Sequence, residues 1–242
     1  MQIDEIHKLE NALAQAHTPA ERLRLLNELS WNLISGQSQR ARSLAEEARQ
    51  LALEQQNEAG LAYSLLVIGS VDLEYGTTDE ALVYLKQTEE IFERIQDGRG
   101  LSRTLDAIGW CHYIRGEYEK SLEIHKRNLA LRESAGEPLE IADTLNSLSA
   151  VYGDIGMYAE AIEALLRAEE IARDCHSLRD MARFITNQGT MYMEVGDNEK
   201  ALQLLERVIT LSDEIGYEKM KVFALGSIGL VYRELGDYER AL

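Results

Sequence analysis

A single glycine column constrains this chain more than any other feature. Gly36, Gly76, Gly116, Gly156, Gly196 and Gly236 follow one another at intervals of 40 residues. Seven residues before each stands Leu29, Gly69, Gly109, Ser149, Gly189 or Gly229, small in every unit but the first. Five residues after each stands Ala41, Ala81, Ser121, Ala161, Ala201 or Ala241, always small. Further upstream, Leu25, Leu65, Leu105, Leu145, Ile185 and Leu225 keep an aliphatic side chain. Four columns in register restrict the chain to a repeat architecture, in which each unit is one supersecondary element stacked on the next.

The unit reads as a helix hairpin. Leu65, Ile68, Gly69, Asp72 and Tyr75 recur at helical spacing and predict a first helix over Leu61 to Tyr75. Gly76 follows as the stop, because the residue past a last helical turn commonly takes a left-handed conformation that glycine adopts at no steric cost. Thr77-Thr78-Asp79 offers an N-cap for a second helix carrying Ala81, Leu82, Leu85, Ile91 and Phe92. The small columns let the two helices of a hairpin approach closely. Composition agrees: Leu, Ala, Glu and Arg dominate, the chain has two prolines, and hydrophobic residues make up 45%, which favours helix over strand and excludes disorder.

Gly189-Tyr192-Gly196, Gly229-Tyr232-Gly236-Asp237-Tyr238-Ala241 and Gly116-Glu117-Tyr118 resemble the tetratricopeptide repeat family over about residues 20 to 242. The period of 40 exceeds the usual unit of about 34 residues, and the proline that often closes a repeat stands only at Pro138. The resemblance implies an all-α fold, a right-handed α-solenoid of antiparallel helix hairpins, with first helices lining a concave face that holds ligands. The expected organisation is one continuous solenoid: a capping helix over 1–17, a degenerate repeat over 18–57, repeats over 58–97, 98–137, 138–177 and 178–217, and a truncated one over 218–242. Ile3, Ile6, Leu9 and Leu13 mark the capping helix, and Thr18-Pro19-Ala20-Glu21 reads as a capping box. A natural end would carry a polar cap, whereas the sixth unit stops at Leu242, so a longer parent protein is expected. Arrays that look like this one often precede output domains of signalling proteins.

Charge and motifs narrow the function. With 42 acidic and 25 basic residues the formal net charge is −17, which repels nucleic-acid phosphates and anionic membrane surfaces. Cys111 and Cys175 are too few for a disulfide framework. No signal pattern or membrane-length apolar run is present, so a cytoplasmic protein is expected. There is no phosphate-binding loop, H-E-x-x-H, C-x-x-C or G-x-S-x-G motif, and neither catalysis nor a cofactor is expected. His112 and His125 fall in columns that should face the hairpin interior and could meet. A metal- or pH-sensing pair and a structural, mutually hydrogen-bonded pair are both open readings.

The remaining candidate is the groove stripe that turns away from the second helices: Tyr63, Leu66, Ser70, Arg103, Asp106, Trp110, Tyr113, Asn146, Arg183 and Asn187. Aromatic side chains give contact area at low entropy cost, amides can bracket a peptide group, and arginines can hold a carboxylate bidentately. The leading expectation is a protein- or peptide-binding scaffold within a larger signalling protein. The alternatives are self-association as a homodimer through the C-terminal end, where Leu225, Ile228 and Val231 would be uncovered, and a small-molecule or metal sensor.

Overall fold

The computed structural model describes residues 2–241, with side chains from Asp4 to Ala241. Met1, Leu242 and the Ile3 side chain, assigned above to the first and last segments, lie outside the described residues. Every regular element among these is a helix: α1 (Gln2–Ala14), then the hairpins α2 (Pro19–Leu33) with α3 (Ser38–Glu54), and α4 (Glu58–Glu74) with α5 (Thr78–Ile95). They continue as α6 (Gly98–Ile114) with α7 (Tyr118–Ala135), α8 (Pro138–Asp154) with α9 (Tyr158–Asp174), α10 (Leu178–Glu194) with α11 (Asn198–Ile215), and α12 (Glu218–Glu234). The chain divides into two compact units, Met1–Asn128 and Leu129–Leu242.

The turns have one repeated geometry. All six column glycines take a positive φ, and after every one but Gly36 the next amide reaches back five residues. Gln37 N reaches back four, to Leu33 O at 3.0 Å, whereas Thr77 N donates to Asp72 O at 3.0 Å and Asp197 N to Tyr192 O at 2.9 Å. That bond satisfies a carbonyl the helix end would otherwise orphan. A second left-handed column, absent from the sequence reading, lies midway: Gln56, Gln96, Gly136, His176 and Gly216. It closes the turns between hairpins with the same bond, Asn57 N to Ala52 O at 2.9 Å and Ser177 N to Ala172 O at 2.9 Å. At the three non-glycine positions these turn bonds are kept, and beside Gln56 and Gln96 the next side chain also caps the following helix. Asn57 Oδ1 accepts from Gly60 N at 2.8 Å and Asp97 Oδ1 from Gly100 N at 2.9 Å. The Asn57 cap explains why α4 begins three residues before the expected Leu61. Thr77, expected to cap α5, instead donates its hydroxyl to Asp72 O at 2.9 Å. Thr18 does cap α2, accepting from Glu21 N at 3.2 Å, while Glu21 accepts from His17 N rather than from Thr18 itself.

In the first unit, consecutive helices from α1 to α6 pack on one another, and α2 on α4 and α4 on α6 also touch. Three apolar clusters fill it, around Leu25, Leu29, Val67, Ile68 and Val71, around Leu66, Leu85, Phe92 and Ile108, and around Leu23 and Leu26. Leu9, with Ile6 and Leu13 of α1, covers the end of the first cluster, and Leu29 fills the small column there. In the second unit α8 to α12 pack in sequence, with α10 also meeting α12, over a core of Leu145, Leu165, Phe184, Ile185, Leu205 and Val208. The small columns do what their position demands. Ala41, Ala81, Ser121, Ala161 and Ala201 are all fully buried, and a Cβ on Gly69 would stand 2.9 Å from Leu85.

Two glycines at the start of α6 test how tightly this packing is set. A Cβ on Gly100 would lie 2.4 Å from the ring of fully buried Phe92, whereas one on Gly98 would meet nothing within 4 Å. Gly100→Ala should lower unfolding stability by about 1–3 kcal/mol through overpacking. Gly98→Ala should raise it by about 0.5–1 kcal/mol through helix propensity and a less flexible unfolded chain. Urea denaturation of the two variants measures both, and equal effects would contradict this account of the packing.

Candidate binding faces of the first helices

In the first helix of each hairpin most columns are spent on the core. The columns of Ala62, Ser64, Leu65 and Ile68 are buried in every unit from the second to the fifth. The columns of Tyr63 and Ser70 stay half-buried throughout: Tyr63, Arg103, Asp143 and Arg183 in one, Ser70, Trp110, Ala150 and Thr190 in the other. These two columns, with the half-buried Asp106, Asn146 and Asn187 of the columns between them, are surface that a partner could reach without disturbing a hairpin.

In the first unit this surface deepens into a pocket of about 500 Å³ between α1, α2, α4 and α6. Tyr63 is fixed there. Its hydroxyl donates to Asp97 Oδ2 at 2.8 Å, and its ring meets Phe92 edge-on with centroids 4.9 Å apart. Burial, then the Asp97 hydrogen bond and charge, push the phenol up to about 12. Asp97 thereby caps α6 with one oxygen and holds Tyr63 with the other. Arg103 lies over the indole of Trp31 at 4.4 Å from the ring centroid, a contact that orients the guanidinium. Leu23, Leu9 and Val67 form the apolar floor, and Arg24, Asn27, Glu28, Asn32 and Arg99 complete the wall.

Several predicted site residues have other roles. Leu66 is fully buried within the apolar cluster; its column, polar in later units, faces the core here, so it is not part of the groove. Trp110 is half-buried and packs edge-on against Tyr113 at 5.0 Å and His125 at 5.9 Å, and Tyr113 meets Tyr118 at 5.9 Å. This aromatic cluster joins α6 to α7. Asp106 lies 3.8 Å from His125. No hydrogen bond joins the two histidines: His112 Nδ1 pairs with Glu117 Oε2 at 2.9 Å, while buried His125 lies against Gly109, where a Cβ would stand 2.5 Å from its ring. The mutually hydrogen-bonded reading is thereby corrected. Among the described residues no group of three His, Cys, Asp or Glu side chains is placed to hold a metal.

In the second unit Arg183 is occupied. It donates to Asp143 and, at 2.9 Å, to Asp180 Oδ1, so the expected carboxylate is supplied by the chain itself. Asn187 Nδ2 donates to Asn146 Oδ1 at 2.6 Å, tying α10 to α8. Beyond that bond the pair keeps N–H donors on both amides and the Asn187 Oδ1 acceptor, and both residues are half-buried.

Sequence reasoning missed the α2 wall of the pocket, because the first repeat was read as degenerate. The signal was present: Asn27 stands in the column of Asn187, and Leu23 in that of Tyr63 and Arg103.

The tetratricopeptide repeat family model matches residues 100–174 and 180–242, more than half of the chain. The chain belongs to the tetratricopeptide repeat family. Its fold is accordingly an all-α solenoid of helix hairpins, and solved structures share it. A signal-transduction ATPase with numerous domains and a tetratricopeptide repeat sensor, from Pyrococcus horikoshii, is 17% identical at a TM-score of 0.75, over 92% of this chain but 37% of its own. A Rap protein complexed with competence and sporulation factor is 15% identical at a TM-score of 0.70, over 98% of this chain and 70% of its own. NprR in complex with its cognate peptide NprX is 16% identical at a TM-score of 0.69, over 98% and 69% respectively. No curated protein matches the sequence. Among the described residues no helix is long and apolar enough to cross a membrane.

The Tyr63–Asp97 contact makes a pH-dependent contribution of known sign. The folded phenol keeps its proton to about pH 12 against an ordinary value of 10.0. Its stabilisation is therefore complete below about pH 10 and is lost as pH rises towards 12. Tyr63→Phe should cost about 0.5–1.5 kcal/mol at neutral pH and remove a phenol that titrates at about 12 from a near-ultraviolet alkaline titration. A variant as stable as the wild type, with an unaltered titration, would contradict the assignment.

Proposed function

We propose that this repeat array is a protein- or peptide-binding scaffold, the regulatory or sensory part of a signalling protein, and that its ligand lies along the half-buried faces of the first helices. The observation that carries this reading is the Asn146–Asn187 pair. One hydrogen bond between the side-chain amides fixes both, and the pair keeps N–H donors and the Asn187 Oδ1 acceptor, groups that complement the C=O and N–H of a peptide. Two supports are independent of it. The solved Rap and NprR structures of the same fold hold a signalling factor and a cognate peptide. The acidic balance of −17 disfavours nucleic acid as the partner. Binding rather than catalysis is the role we assign.

A random peptide library displayed on phage tests this. Wild-type protein should enrich a sequence family, and Asn187→Ala or Asn146→Ala should weaken binding of the enriched peptides by about tenfold. Enrichment of nothing, or variants that bind as the wild type does, would remove this reading.

One observation favours self-association as a second reading. On α12, Val222, Phe223 and Leu225 are 66%, 56% and 49% exposed, although the equivalents of Leu225 in the four preceding units are buried. Apolar surface of that kind favours a partner. Light scattering should show a concentration-dependent dimer that Leu225→Asp/Phe223→Asp abolishes; a monomer throughout the concentration range would dispose of it.

A further inference from the structure

We propose that the hairpin-turn edge of the second unit docks a basic amphipathic helix of a partner protein, whose apolar side chains cover Ile155, Val195 and Leu235 and whose Lys or Arg side chains meet Asp154, Glu194 and Glu234. This surface is separate from the half-buried faces assigned above to the peptide ligand.

One tripeptide pattern recurs at this edge: Asp154-Ile155-Gly156, Glu194-Val195-Gly196 and Glu234-Leu235-Gly236. The acid is the last residue of α8, α10 or α12, the aliphatic residue is the C-cap, and the glycine makes the left-handed turn. The three aliphatic side chains are 38%, 47% and 55% exposed and stand outside the apolar core of the unit. The turn does not require them. Arg115 holds the same C-cap position on α6 at φ −79° and ψ −2°, against −85° and −2° for Val195. A backbone that accepts arginine there has no need of an exposed aliphatic side chain, and a row of them in consecutive hairpins favours a partner.

Charge decides what that partner carries. A helix C-terminus is the negative end of the macrodipole, so a carboxylate in the last turn is unfavourable there and a cation is favourable. α8, α10 and α12 each end on a carboxylate, and Arg233 is the one cation in their last turns. None of the three carboxylates is in an ion pair among the described residues. A partner's Lys or Arg therefore meets a carboxylate and the carbonyls of a helix end together. The same charge repels nucleic acid and anionic lipid.

Spacing decides its form. α8 and α10 lie side by side: Asn187 Nδ2 donates to Asn146 Oδ1 at 2.6 Å, and a Cβ on Gly153 would stand 3.0 Å from Met191 Sδ. α10 meets α12 where Thr186 Oγ1 lies 3.4 Å from Met220 Sδ. Packed helices stand about 8–10 Å apart, so the row advances by about that distance per hairpin. On a partner α-helix, residues seven apart are separated by about 10.5 Å and share a face. A β-strand covers the distance in about three residues, which point to opposite faces.

The test uses the full chain and a fluorescein-labelled, alanine-based helical peptide with leucines seven residues apart and a lysine one turn from each. By fluorescence anisotropy it should bind about tenfold more tightly than a peptide of the same composition with leucines five apart. Val195→Ser/Leu235→Ser should weaken binding about tenfold. Glu194→Gln/Glu234→Gln should weaken it and flatten its salt dependence, while Glu163→Gln/Glu170→Gln, an equal loss of charge on exposed positions of α9, should change neither. The proposal is overturned if the designed peptide does not bind, if both spacings bind alike, or if the two glutamine pairs behave alike. It is equally overturned if Val195→Ser/Leu235→Ser binds as the wild type does, because only a general attraction of cations to an acidic chain then remains. Tighter binding of a polyproline peptide with the same side chains three residues apart, about 9.3 Å, overturns the helical form. Binding lost in Asn187→Ala but kept in the edge variants places the peptide along the first helices, which removes the edge site and keeps the scaffold reading.

Discussion

In the second, third and fifth hairpins a glycine on the first helix meets a bulky side chain on the second. A Cβ would stand 2.9 Å from Leu85 at Gly69, 2.5 Å from the His125 ring at Gly109 and 3.2 Å from Leu205 at Gly189. That approach is what lets the column of Ala81 and Ala161 reach zero exposure, and it leaves the outer apolar columns unsatisfied within any one hairpin. Those columns can be buried only by the next hairpin, so closure of the unit and stacking of the array are one constraint seen at two scales. Two left-handed turns per repeat keep the helices in register for it.

Two polar residues that enter the interior columns, Gln188 and Arg132, bring partners with them. Gln188 stands where other units carry Ile68, Ile108 and Leu148. Its amide donates to Glu169 Oε2 at 2.8 Å, while Arg173 and Arg207 meet the other oxygen at 2.7 and 2.9 Å. Glu169 is 4% exposed. Burial alone would raise its pKa, but Gln188 and the two arginines outweigh that and lower it, so the carboxylate is charged at neutral pH. Arg132 replaces the Phe92 of an earlier unit and donates to Thr144 Oγ1 at 2.6 Å and Glu140 O at 2.8 Å. A buried charge is tolerated where hydrogen bonds replace its hydration.

The repeat, the hairpin and the glycine turns were legible in the sequence because each follows from backbone geometry and small-residue spacing. The second left-handed column was not, since Gln56, Gln96 and His176 carry no glycine signature and are held there by the bonds of the turn. Among candidate site residues, column position predicted exposure for Tyr63, Ser70 and Arg103 but not for Leu66, whose side chain follows its own hydrophobicity into the core. Nor could spacing say that Arg183 would be neutralised by Asp143 and Asp180, or that His112 would turn to Glu117. Those choices depend on side chains brought near by the stacking, a distance the periodicity does not encode.

Because the load of the fold rests on the buried columns, the half-buried ones are free to differ. The column of Tyr63 holds a phenol, two arginines and an aspartate at equivalent positions, with no change in the helix that carries them. What each does is decided locally. In the second unit an acid 40 residues away turns Arg183 inward into an ion pair, and the surface there is left to amides. In the first unit Asp97 gives one oxygen to the amide of Gly100 and the other to the Tyr63 hydroxyl, so one capping residue fixes both the start of α6 and the orientation of the phenol in that column.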